Sequence, residues 1–173
     1  PDSFSDGGQL TDLDAVLRRA EVMVSEGTAL LDLGAVSTRP GAEPVSQAEE
    51  LRRLVPAVEV LVREQLAPLS IDTFRPEVAA AALDLGAHMI NDVRGGRELG
   101  MIETLAAYKP WVCLMHMKGL PQTMQRGLID YDDVVVEVGS WLANTARRVA
   151  EAGVPQPYVL VDPGIGFGKT DEH

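Results

Sequence analysis

The sequence predicts an α/β fold built on a parallel sheet, and three observations predict it. Short apolar runs alternate strictly with longer amphipathic segments; the runs have the length of strands rather than helices; and each ends in a polar or glycine-bearing segment. Alternation of this kind puts helices on the outer face of a sheet whose strands all point the same way.

Taken in order, Leu13, Val16, Leu17, Ala20 and Val24 recur at helical spacing, with Thr11 as the expected N-cap and Gly27 just past the end. Ala29 to Leu33, between Gly27 and Gly34, has the unbroken apolarity of a strand buried on both sides. A loop rich in Pro and Gly leads to Ser46-Gln47-Ala48-Glu49, which has the spacing of a capping box. The helix it opens carries Leu51, Leu54, Val55, Val58, Leu61 and Val62, and Pro56 is expected to kink it by removing one backbone donor. A strand over Leu69 to Asp72 and a helix over Pro76 to Leu85 follow, the helix with Pro at its start and Gly86 at its end. Further strands are predicted over His88 to Val93, Trp111 to Met117 and Tyr158 to Asp162, and helices over Arg97 to Tyr108 and Val134 to Ala152.

The polar residues sit at the ends of those strands: Asp32, Asp72 with Thr73, Asn91 with Asp92, His116, and Asp162. Closing the sheet into a TIM (β/α)8 barrel brings all of these ends to one rim, where the active sites of such barrels lie. An open doubly wound sheet gathers only those near its switch point, and no G-x-G-x-x-G joins a strand to a helix here. The visible strands fall short of eight, so the 173 residues are expected to form part of a single barrel domain.

With 15 Lys and Arg against 26 Asp and Glu, the net charge of −11 argues against binding nucleic acid or an anionic membrane through bulk electrostatics. An anionic substrate must then be held by a few local cations or a metal. The one cysteine, Cys113, lies in an apolar run, so no disulfide can form within the chain, and a buried thiol in a reducing cytoplasm is expected. No apolar stretch reaches the ~18 residues of a membrane span.

Asp72, Asn91 and Asp162 lining one pocket would suit a flat heterocycle with several N–H donors and a ring carbonyl, such as an aminopyrimidinone. A carboxylate accepts a bidentate pair from a ring N–H and an exocyclic amine, and an Asn both donates and accepts. Two glycine-bearing stretches, 3–8 and 164–169, precede helical segments and could receive an anion on backbone N–H groups. Gly164 to Thr170 has one residue too few between its glycines for a nucleotide-binding P-loop.

Six blocks, Pro1 to Gly8, Ser37 to Gly41, Ser70 to Thr73, Ile90 to Val93, Leu114 to Met117 and Asp162 to Lys169, resemble in order the signature blocks of the dihydropteroate synthases. The resemblance spans the chain and implies a homodimeric (β/α)8 transferase of folate synthesis, of the class that sulfonamides target, with the first strand and the last two βα units of the barrel outside these 173 residues. It would join a pterin methyl pyrophosphate to 4-aminobenzoate with Mg2+ as cofactor. It further implies that Asp72, Asn91 and Asp162 bond the pterin ring, with Val93 and Met115 beside it, and that Thr38 and Arg39 act on the pyrophosphate side. Phe4, Ser5 and Asp6 would fold over the site in the catalytic constellation with Arg39. Pro40 and Phe167 would contact the aminobenzoate. For the metal, the family's Asn would lie before Pro1, with Asp6 a possible further ligand. His116 is expected to be a structural, hydrogen-bonded histidine. The family usually has Glu where this chain has Val36, a position expected to support the loop. A methyltransferase barrel that binds a reduced folate would share the pterin acceptors but has no need of the Phe4 and Arg39 loops.

Overall fold

The computed structural model describes residues 12–36, 45–119 and 129–173. Helix α1 (Leu13–Ser25) is capped by Asp12, whose carboxylate accepts from the Ala15 N–H at 2.6 Å; the cap thus falls one residue after the expected Thr11. Strand β1 (Leu31–Gly34) starts two residues later than Ala29. Helix α2 (Gln47–Glu64) has the expected cap, the Ser46 hydroxyl accepting from the Glu49 N–H at 3.2 Å, and continues through Pro56. Glu49, the other half of the expected capping box, accepts from the guanidinium groups of Arg52 and Arg53.

Strand β2 (Leu69–Asp72), helix α3 (Pro76–Asp84, with Pro at its first turn) and strand β3 (Met89–Asp92) keep the predicted order. Helix α4 (Met101–Tyr108) starts four residues after Arg97, because Gly95, Gly96 and Gly100 all take positive φ and wind residues 94–100 into a turn instead. Strand β4 (Trp111–Met115) stops short of Met117, helix α5 (Val134–Glu151) follows, and a single 3-10 turn, Gln156–Tyr158, leads into β5 (Val159–Asp162).

All neighbouring strands pair in parallel in the order β1-β2-β3-β4-β5, open between β1 and β5, as the predicted α/β class requires. Side chains alternate across a strand. On the helix-facing side Leu31, Leu69, Ile71, Ile90, Val112 and Leu114 pack against Leu54, Val58, Val78, Ala82, Leu105 and Val149 to make the main core. The opposite side carries Asp32, Gly34, Asp72, Asn91, Cys113, Met115 and Asp162. The sheet curls toward this second side. The Asn91 amide on β3 donates to Asp32 on β1 at 3.2 Å across the intervening β2, whereas strands two apart in a flat sheet are separated by about 9–10 Å. A contact between alternate strands is how a barrel interior is filled.

Candidate active site

Register places the polar set. Gly34, Asp72, Asn91 and Cys113 stand abreast, and Asp162 stands beside Met115 one step nearer the strand ends on the same face. Gly34 makes room for its neighbour: a Cβ there would lie 3.2 Å from the Asp72 Cβ and 3.4 Å from its Oδ2. Asp72 is pushed up to about 8, chiefly by burial and then by the charges of Asp32, Glu50 and Asp92. At neutral pH it therefore holds a proton that a donor-rich ligand could displace. Burial, then Asp162, Asp32 and Asp92, raise the Cys113 thiol to about 11, so that thiol is surrounded by the site's carboxylates and is no nucleophile. It is only half-buried, on the polar face rather than in the core where the sequence placed it.

Just beyond the polar row lies an apolar one. Val93, Met115 and Met117 are buried together, with Phe74 and Phe167 packed on them. Three residues expected at the site, Val93, Met115 and Phe167, thus meet in one cluster beside the polar row, although they lie up to 74 positions apart in sequence. Phe74 is held under the Arg94 guanidinium at 3.9 Å from its ring centre, with Arg75 at 5.0 Å.

Of the scaffold behind the site, the sequence predicted a structural, hydrogen-bonded His116 but not the partners of Asp92, Glu50 or Lys169. Asp92, fully buried on the far side of β3, accepts from the N–H groups of Arg94 (2.9 Å) and Gly96 (2.6 Å) and so shapes the turn that follows Val93; burial raises its pKa while those bonds oppose the rise. Glu50 in α2, 1% exposed, accepts from the Thr73 hydroxyl at 2.8 Å and pairs with Arg75, fixing the segment that follows Asp72. Asp162 accepts from the Gly164 N–H at 2.7 Å, which orients its carboxylate and starts the glycine-rich loop. His116 and Lys169, 6% and 8% exposed, meet at 3.0 Å beneath that loop. Burial, then the nearby Lys169 and Arg97, lower His116 to about 4, and burial lowers Lys169 to about 8, so at pH 7 a charged lysine donates to a neutral imidazole.

Phe4, Ser5, Asp6, Thr38, Arg39 and Pro40 lie outside the described residues. Among the described residues no cluster of three His, Cys, Asp or Glu side chains could hold a metal ion, and no helix is long and apolar enough to cross a membrane.

Known proteins resemble this chain in sequence and in fold. The family model for pterin binding enzymes matches residues 1–173. The dihydropteroate synthase of Escherichia coli K12 is 43% identical over all of this chain and 61% of its own length, and that of Synechocystis is 44% identical over 99% of this chain and 60% of its own. The chain therefore spans about three fifths of these relatives. Among solved structures, the Yersinia pestis dihydropteroate synthase, crystallised with a sulfonamide drug complex, superposes with a TM-score of 0.95 at 44% identity, covering all of this chain and 62% of that one. The Burkholderia cenocepacia enzyme complexed with 7,8-dihydropteroate gives 0.82 at 52% identity over 91% of this chain and 55% of that one. The five strands among this chain's described residues form an open part of a barrel, and the chain belongs to the family of pterin binding enzymes.

Proposed function

We propose that the protein carrying this chain is a dihydropteroate synthase. It is a transferase of folate synthesis that joins 6-hydroxymethyl-7,8-dihydropterin pyrophosphate to 4-aminobenzoate, giving 7,8-dihydropteroate and pyrophosphate. One observation carries the reading: Asp72, Asn91 and Asp162 share a sheet face at the strand ends, next to the apolar cluster of Val93, Met115 and Phe167. An aminopyrimidinone edge would meet the polar row, and the ring faces the apolar one.

In this mechanism Asp72 and Asp162 accept the ring's N–H donors and Asn91 meets its carbonyl and amine. The bond between the pterin methylene carbon and the pyrophosphate oxygen breaks, with Thr38 and Arg39 proposed to receive the departing anion. The cation left behind is delocalised over the ring, where the carboxylates stabilise it. The arylamine nitrogen, held between Pro40 and Phe167 with the Phe4–Asp6 segment over it, bonds to that carbon and then loses its proton. No enzyme nucleophile is needed. Mg2+ belongs to the proposal with Asp6 as a possible ligand beside the family's Asn expected before Pro1; when bound it would help neutralise the departing pyrophosphate, and the steps above are those of the chain's own side chains. A homodimer in the cytoplasm completes the reading: the family resemblance is what suggests the dimer, and a lone cysteine suits a reducing compartment.

The test is an assay of the intact protein with Mg2+ and both substrates, following pyrophosphate release. One pyrophosphate per dihydropteroate is expected. Tight uptake of the pterin pyrophosphate with no release would mark a pterin binder without synthase activity.

A further inference from the structure

The glycine-rich stretch 163–169 is docked onto the end of β4 more closely than a loop with ordinary side chains could be. A Cβ at Gly164 would run into the His116 carbonyl oxygen, and one at Gly168 into that of Lys118; both glycines have positive φ, +67° and +66°. The Tyr131 hydroxyl bonds the Gly168 carbonyl at 2.9 Å from outside. From inside, the Lys169 ammonium reaches the carbonyl oxygens of Gly164 (3.1 Å), Phe167 (3.2 Å) and His116 (3.3 Å), together with the His116 Nδ1 at 3.0 Å. An ammonium has three protons for these four acceptors. The imidazole is the only side chain among them. It is itself fixed edge-on to Trp141 at 5.1 Å, and Trp141 lies under Arg97 at 4.5 Å. The loop so held carries Phe167, which turns back through its N–H onto the Gly164 carbonyl at 3.0 Å and packs on Val93, Met115 and Met117.

We propose that His116 is a positioning residue: its ring holds the Lys169 ammonium under the 164–168 loop, and the ammonium fixes Phe167 at the wall of the arylamine site. The first half, that His116 orders the loop, stands on geometry alone; the second rests on the proposed synthase activity. Because His116 stays neutral down to about pH 4, it remains an acceptor for Lys169 throughout the working range.

Two substitutions separate the acceptor from the ring. His116→Phe keeps the packing on Trp141 and removes the acceptor; His116→Asn loses the ring and keeps a side-chain oxygen near the place of Nδ1. Amide hydrogen exchange on the intact protein is read first, since it needs no activity. His116→Phe is expected to speed exchange at residues 164–169 at least tenfold while β4 amides stay protected, and His116→Asn to remain within about threefold of the unaltered protein. Steady-state kinetics follow. For His116→Phe the KM for 4-aminobenzoate should rise about tenfold, with kcat and the Kd for the pterin pyrophosphate within threefold; His116→Asn should restore the KM. Unchanged loop exchange in His116→Phe, or equal effects of Phe and Asn, would overturn the positioning role. Altered exchange with both substrates' constants moving together would overturn its link to the arylamine. Loop exchange that responds as expected in a protein that releases no pyrophosphate would refute the synthase reading and leave the loop latch standing.

Discussion

Asp72 is the residue whose chemistry depends most on its surroundings. With its pKa raised to about 8 by burial and by Asp32, Glu50 and Asp92, it is mostly protonated in the free protein at pH 7. A ring that offers N–H donors favours the carboxylate, so pterin binding should expel close to one proton at pH 7 and almost none above pH 9. Calorimetric titration in buffers of different ionisation enthalpy measures that number directly; no buffer dependence at pH 7 would contradict the protonated state. The same shift has a sign for folding. A carboxyl whose folded pKa lies above its unfolded value of 3.8 loses its stabilising contribution as pH rises toward 8. Asp72→Asn should therefore raise the free energy of unfolding at pH 8 relative to the unaltered protein, by on the order of 1–3 kcal/mol in chemical denaturation, and have little effect near pH 4. At Gly164 the constraint is steric: Gly164→Ala should cost about 2–3 kcal/mol in thermal denaturation, since the new methyl group meets the His116 carbonyl and the residue must hold positive φ. Asp72, Asn91 and Asp162 were legible in the sequence because each closes an apolar run. Glu50 was not: in the first turn of a helix it reads as a solvated charge, and its partners lie 23 and 25 residues onward.

At the scale of elements, spacing revealed the helices and strands, while glycine conformation and capping set their ends. The apolar period of α4 extends back toward Arg97, but Gly100 at φ +90° caps the helix from the left-handed region and the preceding turn wraps around Asp92. A period in sequence carries no record of φ, so that boundary could not be read. The β2–α3 and α2 elements are coupled through Glu50, Thr73 and Arg75. Removing one partner of a buried pair strands the other charge, so Glu50→Ala should destabilise the protein by about 3–5 kcal/mol in chemical denaturation. Glu50→Gln, which can still accept from Thr73, should cost less. Equal stability of all three proteins would deny the network its role in fixing the segment after Asp72.

At the scale of the whole molecule, the sheet's curl decides whether strand ends converge. The hydrogen bond from Asn91 to Asp32 across β2 shows that curl, and it puts residues from β1, β2, β3 and β5 on a common concave side. The parallel order followed from strict alternation in the sequence, and a barrel followed from the polar residue at every strand end. Which side chains stand abreast, such as Gly34 beside Asp72, did not follow, because that is a relation only register reveals. The segments with Phe4 to Asp6 and Thr38 to Pro40 add the proposed pyrophosphate and arylamine contacts, and their part is open to the same kinetic tests.

The most direct test of the convergent polar face is the affinity of the intact protein for the dihydropterin pyrophosphate, measured by calorimetry for the unaltered protein and for Asp72→Asn and Asp162→Asn. Each substitution removes a charge-assisted acceptor worth about 1.5–3 kcal/mol, so Kd should rise at least tenfold in both while both variants stay folded under the conditions of the titration. Affinities within twofold of the unaltered protein, in folded variants, would mean that the pterin ring does not bind against this face.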